Sequence, residues 1–322
     1  MSSGEIEGAK RGPKEGEAGE GKRATIGVVI PTYNRAYILG RALDSLLTQT
    51  RPPDLIAVVD DGSTDETPQL LSSYLEKYPK QIAYLRQREN RGIHTARNRG
   101  MDYLAERVEW ITFLDSDDIF LPDGLAVMEE TLIKYPNYSL YGFGVVDREG
   151  RSYHRLNGEV AEIGYEDYFG QTEKGWGGEW VHLVSASKVR DRSFRFPEHL
   201  RYGGGGVTIS QFLKKEPALY LSRPVRVYNR DNSDGVTRKR VVSDPEKMED
   251  LLKSIEWELE VNGEFIKNSR KLRAYFAAIK GKPLFYLGRK KEALLETLKG
   301  LCWNPAEPRL YRNLLLFLGF KL

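Results

Sequence analysis

Residues Leu55-Ile-Ala-Val-Val-Asp-Asp-Gly-Ser-Thr-Asp-Glu66 set an unbroken apolar run directly against carboxylates and small turn residues. A run of that length without alternation reads as a buried strand, and it delivers its polar cluster at the carboxyl end. Upstream, Ile26-Gly-Val-Val-Ile30 is a second such run, closed by Pro31. Between the two, Ile38, Leu39, Ala42, Leu43, Leu46 and Leu47 recur at helical spacing before the Pro52-Pro53 break. Downstream the pattern predicts a helix over 67–78, a strand at 82–85, a helix over 93–105 and a strand at 110–114. Strand and helix alternate through four strands, so the fold class is α/β, a mostly parallel sheet with helices on both faces. In such sheets ligands sit at the carboxyl ends of the strands, and polar clusters follow the strands at 26–30, 55–59 and 110–114.

Beyond Pro136 the alternation gives way. Residues 138–146 read as another strand, Asp147-Arg-Glu-Gly150 as a hairpin turn, and 165–180 as a Gly- and aromatic-rich loop region. From Asp244 the sequence turns helical, with Leu251, Leu252, Ile255 and Leu259 on one face and further helices predicted over 272–287, 292–301 and 310–318. The chain thus divides into a tail over 1–23 with too few apolar residues to repay its ordering, an α/β domain over 24–240 and a helical C-terminal domain over 244–322. Gly288-Arg-Lys-Lys-Glu-Ala-Leu-Leu-Glu-Thr-Leu-Lys299, closed by Asn304-Pro305, resembles one unit of a tetratricopeptide-type helical hairpin, without the recurrence that identifies repeats. Leu314-Leu-Leu-Phe-Leu318 has helical period and is read as packing rather than lipid contact.

A length of 322 residues suits one main domain with an appendage. Apolar residues make up 40% and charged residues 30%, with a mean hydropathy of −0.51, which excludes wholesale disorder. Lys and Arg total 49 against 46 Asp and Glu, too balanced for nucleic-acid binding through bulk charge, so no nucleic-acid partner is expected. Cys302 is the only cysteine, which rules out an internal disulfide and a cysteine zinc site. No apolar run approaches the roughly 20 residues of a spanning helix, and the start lacks an apolar leader. The expected location is the cytoplasm, with peripheral contact at the inner face of the membrane left open.

Phe113-Leu-Asp-Ser-Asp-Asp118 places three carboxylates within four residues after an apolar strand. Like charges that close call for a cation, and hard oxygen ligands favour Mg²⁺ or Mn²⁺ completed by phosphate oxygens and water. A solvated turn in which Asp118 caps the next helix is the alternative. Asp60 and Asp61 stand where a carboxylate can accept from a base N–H or a ribose hydroxyl, and the same segment makes a good Asx-turn and helix N-cap. In Pro31-Thr-Tyr-Asn-Arg35, Tyr33 offers a stacking face and Arg35 a charge for phosphate. Neither G-x-G-x-x-G nor G-x-x-x-x-G-K-[ST] occurs at that turn, so the Rossmann dinucleotide fingerprint and the P-loop are unsupported.

Taken in order, Val29-Ile-Pro-Thr-Tyr-Asn-Arg35, Val59-Asp-Asp-Gly-Ser-Thr-Asp65, Asn90-Arg-Gly-Ile-His-Thr-Ala-Arg-Asn-Arg-Gly100 and Phe113-Leu-Asp-Ser-Asp-Asp118 resemble the motifs of family 2 glycosyltransferases of the GT-A fold. The match is strong over residues 25–125 and weak to about 235. The resemblance implies a nucleotide diphosphate sugar as donor, in particular a UDP-sugar, a carbohydrate or lipid-linked acceptor, Mn²⁺ or Mg²⁺, and an inverting displacement. By the same resemblance Pro31, Tyr33 and Asp61 would hold the base with Asp60 beside them, and Arg91 and Arg97 would lie near base and diphosphate. Asp115, with Ser116, would touch the ribose or donor sugar and Asp117 would ligate the metal. From the residues alone Asp115 and His182 are further candidate ligands, although a lone histidine is more often structural. Thr237 and Arg238 would close over the diphosphate.

A single displacement needs a base on the face of the sugar opposite the leaving group. Family members usually supply it from a Glu-Asp pair, whereas the corresponding slot after Phe196-Pro-Glu-His-Leu200 reads Gly204-Gly205-Gly206. Four successive glycines, Gly203 to Gly206, fit a mobile connector or a close backbone approach to ligand. The base candidates are Glu179 and Glu198. Glu179 lies near Trp176, Trp180 and His182, whose rings would desolvate its carboxylate, and the place of Glu198 in its segment suggests a structural role. A non-catalytic nucleotide-sugar binding protein stays open because of the glycine run. A sugar nucleotidyltransferase is less well matched, since the Gly-rich, Arg/Lys-containing loop it needs after the first strand is missing.

Overall fold

The computed structural model describes residues 23–170, 177–201, 203–229 and 244–320. Trp176, Thr237, Arg238 and the first 22 residues of the tail therefore lie outside the described residues. The strands are β1 (Ile26–Thr32), β2 (Leu55–Asp60), β3 (Ile82–Arg86), β4 (Trp110–Phe113), β5 (Ile119–Phe120), β6 (Leu140–Val146), β7 (His154–Arg155), β8 (Val160–Ile163), β9 (Gly177–Gly178), β10 (Val181–Ser185) and β11 (Ala218–Val227). The helices among them are α1 (Ala36–Leu47), α2 (Thr67–Lys77), α3 (Ile93–Ala105), α4 (Gly124–Lys134), α5 (Tyr165–Phe169), α6 (Ala186–Arg190) and α7 (Gly205–Leu213). After these come α8 (Pro245–Lys267), α9 (Arg270–Tyr286), α10 (Lys290–Trp303) and α11 (Pro308–Phe317).

One sheet takes nine of the strands in the order β3-β2-β1-β4-β10-β6-β11-β5, with β8 also paired to β11. β1 to β4 are mutually parallel, and β6 and β11 run with them, while β10, β5 and β8 run the other way. The unbroken apolar strands follow from burial on both faces. Ile26, Val28, Ile30, Ile56 and Val58 point into one core with Leu39, Leu43 and Leu46 of α1. Val29, Ala57 and Val59 point into the other with Ala96, Met101 and Leu104 of α3. Gly100 lets α3 lie close on the sheet, since a Cβ there would stand 2.5 Å from Val29 Cγ1. Each fully buried Leu or Ile contributes about 1.5–3 kcal/mol, so the two clusters hold the strand ends in place.

The turn expected at 147–150 forms, with Asp147 accepting from the backbone N–H of Glu149 (3.0 Å) and Arg151 (2.8 Å). The glycine run is not a loose connector: Gly204, at φ 76°, is the N-cap of α7, and Gly205 and Gly206 are its first two residues. A Cβ at Gly204 would stand 2.7 Å from Pro197 Cγ.

The C-terminal helices begin where Asp244 accepts from the Glu246 N–H at 3.0 Å and Pro245 takes the first helical position. α8 fastens to the sheet region through polar groups. The Asn262 amide donates to Ser210 Oγ (2.9 Å) while accepting from Tyr165 Oη (2.7 Å), and the Arg201 N–H donates to Asp250 (2.8 Å). Close packing of α9, α10 and α11 rests on small residues, since a Cβ at Gly281 or Gly300 would stand 2.5 Å from Asn313 or Leu310. In α11 only part of the expected packing occurs, because Leu310, Asn313 and Leu316 are buried whereas Leu315 and Leu318 face outward. Among the described residues no helix is long and apolar enough to cross a membrane.

Candidate active site

The loops after β1 and β2 are laced together by backbone donors and short side chains. Asn34, held at φ 51°, accepts from the Thr64 N–H (2.8 Å), while its own N–H donates to Ser63 Oγ (2.9 Å). Asp65 accepts from the Ala36 N–H at 3.0 Å. Asp60 is fully buried and accepts from the Ser63 N–H (2.8 Å) and Tyr84 Oη (2.7 Å). Asp61 accepts from Gln87 (2.5 Å) and from the N–H groups of Arg91 and Gly92 (both 2.8 Å). Burial raises the Asp61 pKa, and those donors offset only part of the rise. Beside this scaffold Pro31 is buried in β1, Tyr33 shows its ring to solvent and Arg91 is exposed.

The loop after β4 is held quite differently. Arg35 Nη1 lies 3.0 Å from Asp117 and Arg97 Nη2 lies 2.7 Å from Asp115. Arg226, on β11, lies 3.4 Å from Asp118, 3.7 Å from Asp115 and 3.9 Å from Glu179, with its side chain only 9% exposed. Burial tends to raise the Asp115 pKa, yet Arg97 and then Arg226 hold it below the usual carboxylate range. In Asp118 burial wins and pushes the pKa up to about 7. Asp118 does not cap the following helix. It accepts instead from the Asn229 N–H at 2.9 Å, which ties the acidic loop to the end of β11. Ser116, between the two carboxylates, is buried.

A cavity of about 420 Å³ opens beside this loop, with Arg97, Asp115, Glu179, His182, Gly205 and Arg226 in its wall. His182 stands 3.2 Å from Tyr220 Oη, and burial, aided by Arg226 and Arg97, lowers its pKa to about 4, so it is neutral near neutral pH. Glu179 is not desolvated as expected, since its side chain is 58% exposed. Trp180, buried, packs edge-on against Tyr220. Glu198 accepts from Asn98 Nδ2 at 2.9 Å and lies 4.0 Å from Arg195, holding the Phe196-Pro197 segment against α3.

Among the described residues no three of His, Cys, Asp and Glu come together as a cation site. The donor set still fits a divalent cation of the Mg²⁺ or Mn²⁺ kind. Such ions bind through one or two carboxylates with phosphate oxygens, and Asp115 and Asp117 supply two on one short turn.

Arg226 is the residue that sequence reading misses. It stands more than a hundred positions from the acidic loop it serves, and the one signal is a charged residue inside the apolar stretch Pro224-Val-Arg-Val227.

A mostly parallel sheet with helices on both faces and aspartate turns at the ends of β2 and β4 is a GT-A glycosyltransferase fold. The model of the family described as glycosyl transferase family 2 matches residues 27–194, just over half of the chain, and the chain belongs to that family of glycosyltransferase enzymes. It is 28% identical over 218 residues to the GalNAc(5)-diNAcBac-PP-undecaprenol beta-1,3-glucosyltransferase of Campylobacter jejuni, covering 66% of this chain and 67% of that one. Among other curated relatives the chain spans only about a fifth of their length. S. aureus TarS (residues 1–349) in complex with UDP-GlcNAc superposes with a TM-score of 0.62 at 17% identity, covering 90% of this chain and 89% of that one. The mannosyltransferase PcManGT of Pyrobaculum calidifontis, in complex with GDP-Man and Mn²⁺, gives 0.54 at 16% identity, covering 91% and 84%.

Proposed function

We propose that this chain moves a sugar from a nucleotide diphosphate sugar, a UDP-sugar, to a hydroxyl of a carbohydrate or lipid-linked acceptor with inversion. The observation that carries the reading is the acidic turn 115–118, whose carboxylates are held by Arg35, Arg97 and Arg226 beside a cavity of sugar-binding size. The Campylobacter relative supports a lipid-linked acceptor, TarS a UDP-sugar donor, and PcManGT the presence of Mn²⁺.

In this reading the base stacks on Tyr33 beside Pro31 and Asp61, with Asp60 fixing the turn beneath. Arg91 and Arg97 approach base and diphosphate, and Asp115 with Ser116 the ribose or donor sugar. Asp117 and Asp115 would hold Mn²⁺ or Mg²⁺, which would supply Lewis-acid stabilisation of the leaving diphosphate when bound. Arg35, released from Asp117, and Arg97, shared with Asp115, add positive charge where negative charge develops on the leaving group. The acceptor oxygen bonds to the anomeric carbon as the bond from that carbon to the diphosphate oxygen breaks and its electron pair leaves with the diphosphate. Glu179, in the wall of the cavity with its side chain exposed, takes the acceptor proton. His182, neutral and bonded to Tyr220, serves as cavity wall rather than third metal ligand.

Two measurements test this. UDP, GDP, dTDP and CMP are compared for their effect on melting temperature with and without Mn²⁺, since a ligand of the folded state raises it. UDP with Mn²⁺ is expected to give the largest rise. Turnover of UDP-sugars by transfer or hydrolysis separates an enzyme from a binding protein, and pyrophosphorolysis in its place would point to a nucleotidyltransferase.

A further inference from the structure

We propose that the outer face of α10 and α11 rests on an anionic lipid surface. Eleven large hydrophobic side chains stand exposed among the described residues, and seven of them belong to this short stretch: Leu294, Leu295, Leu298, Tyr311, Leu315, Leu318 and Phe320. Five of them, Leu294, Leu295, Leu298, Tyr311 and Leu315, lie on the sides of α10 and α11 opposite the residues these helices bury, and Leu318 and Phe320 follow the end of α11. Ala293, Thr297 and Gly300 of α10 and Leu310, Asn313 and Leu316 of α11 are buried, and Gly300 and Asn313 pack toward α9. A surface helix of a globular protein needs one apolar stripe, so the outer one requires another partner.

Its chemistry names that partner. Within the helices Leu295 is 53% exposed and Tyr311 49%, which describes residues that project rather than line a groove. Projecting apolar groups insert into a fluid hydrocarbon boundary without needing a complementary shape. Lys290, Lys291 and Arg312 are exposed on the same two helices, and no carboxylate among the described residues pairs with them. A second copy of the chain would bring these like charges together, whereas anionic headgroups would neutralise them. No step of sugar transfer enters this argument.

Vesicle flotation tests it with the full chain and no sugar nucleotide, so its outcome is independent of the transfer assay. The protein is expected to float with vesicles of phosphatidylcholine and phosphatidylglycerol and to float far less with phosphatidylcholine alone. Each basic residue near such a surface is worth about fivefold in partition, so Lys290→Gln, Lys291→Gln and Arg312→Gln together are expected to lower binding by about 100-fold. Leu315→Glu with Leu318→Glu is expected to abolish it, with circular dichroism verifying that the helices persist. Should the leucine pair unfold α11, the glutamine triple variant decides, because it leaves the apolar stripe intact. Equal recovery of the parent with and without vesicles overturns the proposal. So does light scattering that shows a parent dimer split by the leucine substitutions, which would assign the face to a second copy.

Discussion

The loops that follow β2 and β4 are alike in composition and opposite in construction. Both place aspartates at the carboxyl end of an apolar strand. After β2, Asp60, Asp61 and Asp65 are satisfied largely by backbone N–H groups that cannot leave without unfolding the turn. After β4, Asp115, Asp117 and Asp118 face the guanidinium groups of Arg97, Arg35 and Arg226. A side-chain partner can swing away when a phosphate or cation arrives, and a backbone partner cannot. The first loop is therefore fixed by its backbone, whereas in the second Asp115 and Asp117 pair with guanidinium groups and Asp118 keeps a backbone donor in the Asn229 N–H besides.

The sharpest way to break this contrast is Asp117→Asn. It is expected to lower transfer by about 10²–10³-fold, with the melting temperature of the free protein nearly unchanged and the Mn²⁺-dependent rise with UDP gone. A surviving Mn²⁺-dependent rise would place the cation elsewhere. Glu179→Gln is next, with an expected loss in kcat of about 10²-fold or more and UDP binding intact. The glycine run gives the converse experiment. A Cβ at Gly205 meets nothing within 4 Å, while one at Gly206 would stand 2.6 Å from Tyr168 Oη, so Gly205→Glu is the substitution whose Cβ has room. Transfer by Gly205→Glu from a parent that shows none would remove Glu179 from the role of base.

Asp60→Asn is expected to do the reverse of Asp117→Asn. It weakens the acceptor for Ser63 and Tyr84 in a buried site, costing about 1–3 kcal/mol measured by denaturant midpoint, while kcat of the folded fraction stays within a few fold. The last effect concerns pH. Burial pushes the Asp118 carboxyl up to about 7 in the folded chain from an ordinary 3.8, so it binds a proton more tightly when folded and adds stability as pH falls through that window. His94 and His182, lowered by burial to about 4, act in the opposite direction, losing stability as pH falls below 6.5. Asp118→Asn removes the gain and leaves the loss. The variant should therefore lose more stability than the parent between about pH 7.5 and pH 5, by about 2–3 kcal/mol.

Much of the sheet was legible because its signals are local. Five successive apolar residues in Leu55-Ile-Ala-Val-Val59 can be buried only between two layers, and helical spacing over 93–105 marks α3 to the residue. The acidic turn was legible for the same reason, since its residues are neighbours in the chain. The insertion of antiparallel β10 between β4 and β6 was not, because strand order depends on which edges meet after the chain has wandered through 70 residues. Nor was the role of the glycines, where a φ of 76° at Gly204 turns an apparent linker into a helix cap.

The sequence by itself determined the α/β class, the order of the first four strands and helices along the chain, and which residue types stand at the strand ends. Hydrophobic period and turn chemistry are written in consecutive residues. Only the tertiary structure decided which carboxylates have backbone partners and which have guanidinium partners, and that Arg226 lies against Asp115 and Asp118. It alone decided that Leu315 and Leu318 face outward while Leu316 faces in. Each of these depends on groups brought together from distant parts of the chain, and proximity in space sets charge, burial and hydrogen bonding.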